Sequence, residues 1–351
     1  MTAFRRPAAS AARAVWRAVH WPDAWCPFIL PAWRRARQLA AERRPDALVT
    51  VSYPFSSHVV GLWLKRRDPG VPWLVDVGDP FARYGFVNNE RLYRRLNDRA
   101  EARVLDLADY ISVTNRGALE HYMAAFGVER DRIGVIAPVL SSTTTSPAIC
   151  EPDETADPPQ RPVRLVYCGQ LYRHIRSPQP LLNLLERLVQ QPPSGRPVEL
   201  HLYGGLSDCA DLFEPAQALL GRHLFLHGFV SREQALRAMQ QADVLVNIGN
   251  ATPHQVPSKI VEYIGTGKPI LNLVTSQDDQ TRELLERHPV ALTIDASEDS
   301  LDRQVEQVQC FLNGLPRPIP ESELSTLVQP FLPPAIANAY LAGISRGRHA
   351  A

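Results

Sequence analysis

Pro257-Ser258-Lys259-Ile260-Val261-Glu262-Tyr263-Ile264-Gly265-Thr266-Gly267-Lys268-Pro269-Ile270 is the stretch from which the rest of the chain can be read. It opens with a helix start signal, Pro257 at the expected first helical position, where a missing N–H costs nothing. Backbone N–H groups at such a start are free and the helix dipole is positive, so an anion is favoured there. Lys259 adds a full positive charge to the first turn, which is unfavourable unless something negative, such as a phosphate, sits nearby. Ser258 adds a hydroxyl at the same end. Glu262 follows on much the same face, where it can accept hydrogen bonds from sugar hydroxyls. Gly265 and Gly267 close a short helix, and Lys268-Pro269-Ile270-Leu271 enters a strand. The plainer alternative is a capped helix with a Lys and a Glu on its solvated face.

Outward from this stretch, strand-like and helix-like segments alternate, which argues for α/β architecture with parallel sheets. Downstream of residue 162 we expect strands at 163–169, 198–203, 223–227, 243–247, 269–274 and 290–294. Helices are expected between them at 178–190, 211–221, 231–240, 257–266, 279–287 and 298–313. That is a whole doubly wound domain, whose ligands sit at the carboxyl ends of the strands, where Gly169, Gly204, Gly228 and Gly249 fall. Upstream, strands are expected at 47–52, 72–77, 110–114 and 133–136, with helices at 32–44, 56–67, 89–107 and 116–126. Residues 141–162, rich in Ser, Thr and Pro, read as a linker. The domains are therefore 1–140, a short N-terminal one, and 163–320. The tail 321–351 is expected to be a helix returning toward the first domain.

At 351 residues the chain is long enough for two domains. Its 45% apolar and 21% charged residues are ordinary for a globular protein. Cys26, Cys150, Cys168, Cys209 and Cys310 are far apart and form no CxxC pair, which fits a reducing compartment and argues against structural zinc. The net charge of +1 hides an asymmetry. Residues 1–140 hold 21 Lys and Arg against 14 Asp and Glu, while the remainder holds 17 against 23. A basic N-terminal half suggests an anionic neighbour, either a membrane surface or a phosphate-bearing acceptor; solvated surface charge is the alternative. Residues 1–20 carry Arg5, Arg6, Arg13, Arg17 and Trp16 without any acid, and no apolar core of a secretory signal follows. No apolar run reaches the length of a membrane span. No G-x-G-x-x-G follows a strand, so a dehydrogenase is disfavoured. The basic residues form no aromatic-interleaved patch, so nucleic-acid binding is disfavoured too.

The segment 257–270 resembles the nucleotide-sugar site of retaining, family-4-like glycosyltransferases of the GT-B fold, whose members carry PxKxxEYxAxGKPI here. The resemblance implies two Rossmann-like domains facing across a cleft, and transfer of a sugar from a UDP- or GDP-sugar to a glycan or lipid-linked acceptor. It also implies metal-independent chemistry without a cofactor, and a bacterial, cytoplasmic enzyme of polysaccharide biosynthesis that reaches the inner membrane face peripherally. Basic side chains and helix N-termini then neutralise the diphosphate. Gly169-Gln170-Leu171 with a following basic residue resembles the family's diphosphate loop, which points first to Arg176 and second to Arg173. Ser177 is the expected N-cap there, with Pro178 at the first helical position. Two arginines on an exposed loop would explain the same residues. Glu262 matches the second acid of the family's E-x7-E pattern, which binds ribose hydroxyls.

Two departures stand out. The first acid of that pattern falls on His254, so the donor sugar is left to Asn250, His254 or Gln255. The family's N-terminal domain usually opens with a Gly-rich turn and further strands, yet only some 45 residues precede the strand at 47–52. Among them Trp21-Pro22-Asp23-Ala24-Trp25 resembles an element found midway through that domain, so the chain is expected to begin part-way into it. Tyr203-Gly204-Gly205 and His227-Gly228-Phe229-Val230 lie at strand ends where relatives hold the nucleobase, although tight turns alone explain their glycines. In the first domain Asp79, within Asp76-Val77-Gly78-Asp79-Pro80, is the candidate acceptor-side or catalytic carboxylate. Asp76 and Asp79 together could also bind a divalent metal, though nothing completes such a site, and helix capping is a further alternative. Ser52-Tyr53-Pro54-Phe55-Ser56-Ser57-His58 is a second strand-end loop expected to aim polar groups at the cleft. Competing readings are a degenerate donor-binding subunit without turnover, motivated by His254 and the short start, and a GT-B nucleotide-sugar epimerase.

Overall fold

A computed structural model of the chain describes residues 15–82, 90–141, 161–297 and 299–350. Most of the expected linker, with Cys150, and the early Arg5, Arg6 and Arg13 lie outside the described residues, as do Asn89 and Glu298 at two expected helix starts. The chain divides into two compact units, Met1–Ala137 with Ile336–Ala351, and Pro138–Ala335.

The first unit is built on a four-stranded, all-parallel sheet of sequential order: β1 Leu48–Ser52, β2 Trp73–Val77, β3 Tyr110–Val113 and β4 Ile133–Val135. Among its described helices are α1 Ile29–Glu42, α2 Ser56–Arg67, α3 Glu90–Leu107 and α4 Arg116–Phe126. The boundaries of α4 follow from local chemistry. Asn115 accepts from the Ala118 N–H at its start, and Gly127 takes φ +68° at its end. Among the described residues ahead of β1 there is no strand. The Trp21–Trp25 element instead caps α2 from a distance. Buried Asp23 accepts from the Ser56 N–H (2.8 Å), the Ser56 hydroxyl (2.7 Å) and the Trp25 N–H (2.8 Å). The core closes around Trp73, Ile111 and Tyr122, none of which reaches solvent.

The second unit carries a six-stranded parallel sheet: β5 Val163–Cys168, β6 Val198–Tyr203, β7 Leu224–Gly228, β8 Val244–Ile248, β9 Ile270–Val274 and β10 Ala291–Asp295. The strand order is β10-β9-β8-β5-β6-β7, so the chain winds out one way from β5 and then restarts on its other side at β8. The crevice between the carboxyl ends of β5 and β8 is the topological switch point, where such sheets bind ligands. Flanking helices are α5 Gln179–Gln190, α6 Arg232–Gln241, α7 Lys259–Thr266, α8 Thr281–Leu285, α9 Leu301–Asn313 and α10 Glu321–Val328. An unbroken leucine face of α5 (Leu181, Leu184, Leu185, Leu188) packs into the core with Leu165, Leu200 and Val246.

Several expectations need correction. The helix expected at 211–221 is two 3-10 turns, Ala210–Phe213 and Pro215–Leu219, because Pro215 cannot continue the first. The single helix expected for the tail is α10, a 3-10 turn Gln329–Phe331 and α11 Pro333–Ala350, since Pro330, Pro333 and Pro334 interrupt it. Pro257 is not the first helical residue. It precedes the N-cap Ser258, and its carbonyl accepts from the Ile260 N–H in a preceding turn. At α5 the N-cap is Pro178 rather than Ser177, whose hydroxyl accepts from the Gln179 N–H at 3.3 Å.

Candidate active site

The candidate residues of the second unit gather at the switch point. After β5 the chain turns through Gly169–Ser177, and after β8 through Gly249–Ser258, so the two loops face each other. Side-chain and backbone hydrogen bonds join them. The Arg176 guanidinium donates through Nε (3.0 Å) and Nη2 (2.8 Å) to the side-chain carbonyl of Asn250. Asn250 is itself buried, and its amide group donates to the Gln255 carbonyl at 3.1 Å. The Ala251 N–H donates to the Ile175 carbonyl at 2.7 Å, closing the same bridge through backbone. Arg176 is thus held by two bonds to one neutral acceptor, which leaves its charge uncompensated by that partner.

On the other flank, Lys259 donates to Glu262 Oε2 at 2.7 Å, one turn along α7. Glu262 Oε1 lies 3.5 Å from Arg232, the first residue of α6. Sequence reasoning missed Arg232, because it lies 30 residues from Glu262 and marks no motif. Both flanks converge on the end of β5. Tyr263 of α7 is buried, with its hydroxyl 2.7 Å from the Cys168 N–H. Burial pushes the Cys168 thiol up to about 12, with Lys259 opposing and Glu262 reinforcing the shift, so this cysteine stays an un-ionised thiol. His254 is half-buried in the 249–258 loop, and Ser258 is exposed.

Arg173 stands apart from Arg176 although both belong to one loop. Its backbone N–H donates to Asp208 Oδ1 (3.0 Å), and its guanidinium pairs with Asp211 and the Asp208 carbonyl. The same bonds pull the Asp208 and Asp211 carboxyls below their usual range. Arg173 ties the 169–177 loop to the 3-10 turns after β6.

The glycines at the ends of β5, β6 and β7 fit together closely. Gly169 N–H donates to the Tyr203 carbonyl, and Gly204 N–H to the Gly228 carbonyl, both at 2.8 Å. The Phe229 ring lies over Gly205, yet Phe229 remains 77% exposed. Val230 beside it is half-buried. Tyr203 stacks on His227 with ring centroids 4.1 Å apart.

In the first unit Asp79 is exposed at the end of β2. Asp76 is committed elsewhere. Its Oδ1 accepts from the Ser112 hydroxyl and its Oδ2 from the Tyr340 hydroxyl, each at 2.6 Å, so it fastens α11 to the sheet. The expectation that the 52–58 loop presents His58 as an open polar group is also corrected. His58 is buried, bonded through Nδ1 to Thr50 Oγ1 at 2.8 Å, and burial lowers it to about 3.

Residues 2–138 match the family model described as a glycosyl transferase 4-like domain. The chain has the GT-B fold. Solved structures of that fold cover most of the chain at low identity. Anabaena HepE in complex with UDP is 16% identical, covering 90% of this chain and 82% of its own, with a TM-score of 0.62. A glycosyltransferase from Rickettsia africae is 12% identical over 92% and 82%, with a TM-score of 0.64. Sucrose-phosphate synthase from Thermosynechococcus elongatus is 16% identical over 93% and 80%, with a TM-score of 0.62. No curated protein matches the chain by sequence. Among the described residues, no helix is long and apolar enough to cross a membrane.

Proposed function

We propose that this protein is a glycosyltransferase that moves a sugar from a nucleoside-diphosphate sugar to a hydroxyl of a glycan or lipid-linked acceptor, with retention and without a metal ion. The observation that carries the reading is the Arg176–Asn250 bridge across the switch point, with Lys259 on the adjoining helix. The two cations suit a diphosphate, whose charge grows as the glycosidic bond breaks. On binding, Lys259 turns from Glu262 to the phosphate, while Arg232 continues to balance the Glu262 carboxylate as it accepts the ribose hydroxyls. Gly169, Tyr203, Gly204, Gly228 and Val230 surround the nucleobase, and Asn250, His254, Gln255, Pro257 and Ser258 face the sugar and phosphate. Asp79 serves the acceptor. HepE bound to UDP and to UDP-glucose supports a uridine nucleotide first. Exposed Trp16, Trp25 and Phe28 beside Arg17, Arg34 and Arg35 support contact with an anionic membrane face.

The test is calorimetry of UDP, GDP, ADP, CMP and TDP with wild-type and Lys259→Ala protein. One nucleotide should bind in the micromolar range and lose at least tenfold in the variant, about 1.4 kcal/mol. Undiminished binding by Lys259→Ala removes the phosphate assignment. His254, at a position where relatives carry an acid, favours one other reading, a donor-binding subunit without turnover. It predicts the same binding with no sugar released from a labelled donor.

A further inference from the structure

A chain of buried polar side chains runs beneath the site through the carboxyl ends of β8 and β9. Asn247 of β8 donates to Asn272 Oδ1 of β9 at 2.7 Å. Asn272 donates to Thr281 Oγ1 at 3.0 Å, and Thr281 donates to Asp279 Oδ1 through its hydroxyl (2.6 Å) and its N–H (2.8 Å). Asn272 and Thr281 are wholly buried, and Asp279 is only 4% exposed. The second carboxylate oxygen, Oδ2, has no close hydrogen-bond partner among the described residues and lies against Gly249, where a Cβ would stand 1.8 Å from it. Asn250, which grips Arg176, is the next residue.

Polar side chains in so dry a place are costly unless fully bonded, and a carboxylate with one oxygen left over is costlier still. Burial pushes the Asp279 carboxyl up. Thr281, then Arg282, then the Asn250 N–H favour its charged form. Arg282 pairs with Asp295, so the nearest cation is already engaged. A network of this kind gives the core nothing that valine and leucine would not give. It does fix the Gly249–Asn250 backbone, because Gly249 alone can lie against the carboxylate and the Asn250 amide faces it.

We propose that Asp279 is a positioning residue for the anion clamp: it sets the Gly249–Asn250 turn, and through the Asn250 side chain it aims the Arg176 guanidinium. The inference rests on the nucleoside-diphosphate reading of the site. Asn272 and Thr281 hold the carboxylate in register from below.

The experiment is a double-mutant cycle on UDP affinity with Asp279→Asn, Arg176→Ala and the pair, thermal unfolding being recorded for each. Asparagine turns an acceptor into a donor against the Asn250 N–H. Asp279→Asn should weaken UDP about tenfold, as the carboxylate packed against Gly249 and faced by the Asn250 N–H loses its charge, and should cost less than about twofold once Arg176 is gone. Wild-type affinity in Asp279→Asn, or equal losses in both backgrounds, overturns the proposal. A crystal structure of Asp279→Asn separates this failure from failure of the diphosphate reading. If wild-type protein ignores UDP but the variant's Arg176 has left Asn250, the positioning role stands and the ligand is wrong. If Arg176 stays on Asn250, the role is wrong whatever binds. Should Asp279→Asn not fold, Thr281→Val, which removes the hydroxyl that joins Asn272 to Asp279, enters the same cycle with the same outcomes.

Discussion

Gly204 takes φ +137°, and a Cβ on it would stand 1.9 Å from the Gly169 carbonyl oxygen. Two independent constraints therefore require glycine there: backbone strain of about 1–3 kcal/mol for any other residue, and a backbone collision that no rotamer relieves. Gly204→Ala should lower stability by at least that strain in urea unfolding, and it should weaken nucleotide binding by parting the ends of β5 and β6. His58 makes a prediction of different sign. Its folded value of about 3 lies below the usual 6.5, so between these limits the native state binds fewer protons than the unfolded chain. Stability from His58 is full above pH 6.5 and falls as pH drops toward 3, by up to about 1.4 kcal/mol per pH unit. Glu101 acts oppositely, because burial raises it to about 7 and the native state holds its proton more tightly above pH 4.5. The comparison that isolates His58 is the stability difference between wild type and His58→Gln, which should shift against the wild type as pH falls from 6.5 to 4, by up to about 1.4 kcal/mol per unit.

At the scale of elements, the sharpest dependence is of α2 on the segment ahead of α1. The first N–H of a helix has no partner within the helix, and Asp23 supplies one across 33 residues of sequence. Asp23→Ala leaves the Ser56 N–H and hydroxyl without their acceptor in a buried place. The expected loss is about 1–3 kcal/mol, read as a fall in the urea midpoint at unchanged slope. Aspartate to asparagine should recover part of it, since one carbonyl oxygen remains. The helices whose limits were legible in sequence are those with their own caps. Residues 116–126 begin at Asn115 and end at Gly127. Those that broke into separate turns were decided by proline, at Pro215 in the second unit and at Pro330, Pro333 and Pro334 in the tail.

For the whole molecule, the division into Met1–Ala137 with Ile336–Ala351 and Pro138–Ala335 makes ligand stabilisation a local matter first. A nucleotide at one hundred times its dissociation constant adds about 2.7 kcal/mol to the state that binds it. Saturating nucleotide should therefore slow amide exchange in β5, β8 and α7 by about a hundredfold. Unchanged exchange in those three elements would place the nucleotide elsewhere. The Asp76–Tyr340 bond shows the tail helix fastened to the first sheet, an attachment that only folding brings about, 264 residues apart in the chain.

The sequence by itself determined the periodicities, the parallel α/β class and the glycines at the strand ends, because each depends on neighbours within a few residues. It also carried the Lys259–Glu262 pair, three residues apart on one helix face. Only the tertiary structure decided the partners of Arg176 and Arg173, the capture of Asp76 by Ser112 and Tyr340, and the burial of His58. It alone brought Arg232 to Glu262 and aligned Asn247, Asn272, Thr281 and Asp279 under Asn250. Two asparagines inside otherwise apolar strands, Val244–Ile248 and Ile270–Val274, were the visible trace of that network. Their register, Asn247 opposite Asn272, is set by strand pairing, a long-range property that no local pattern encodes.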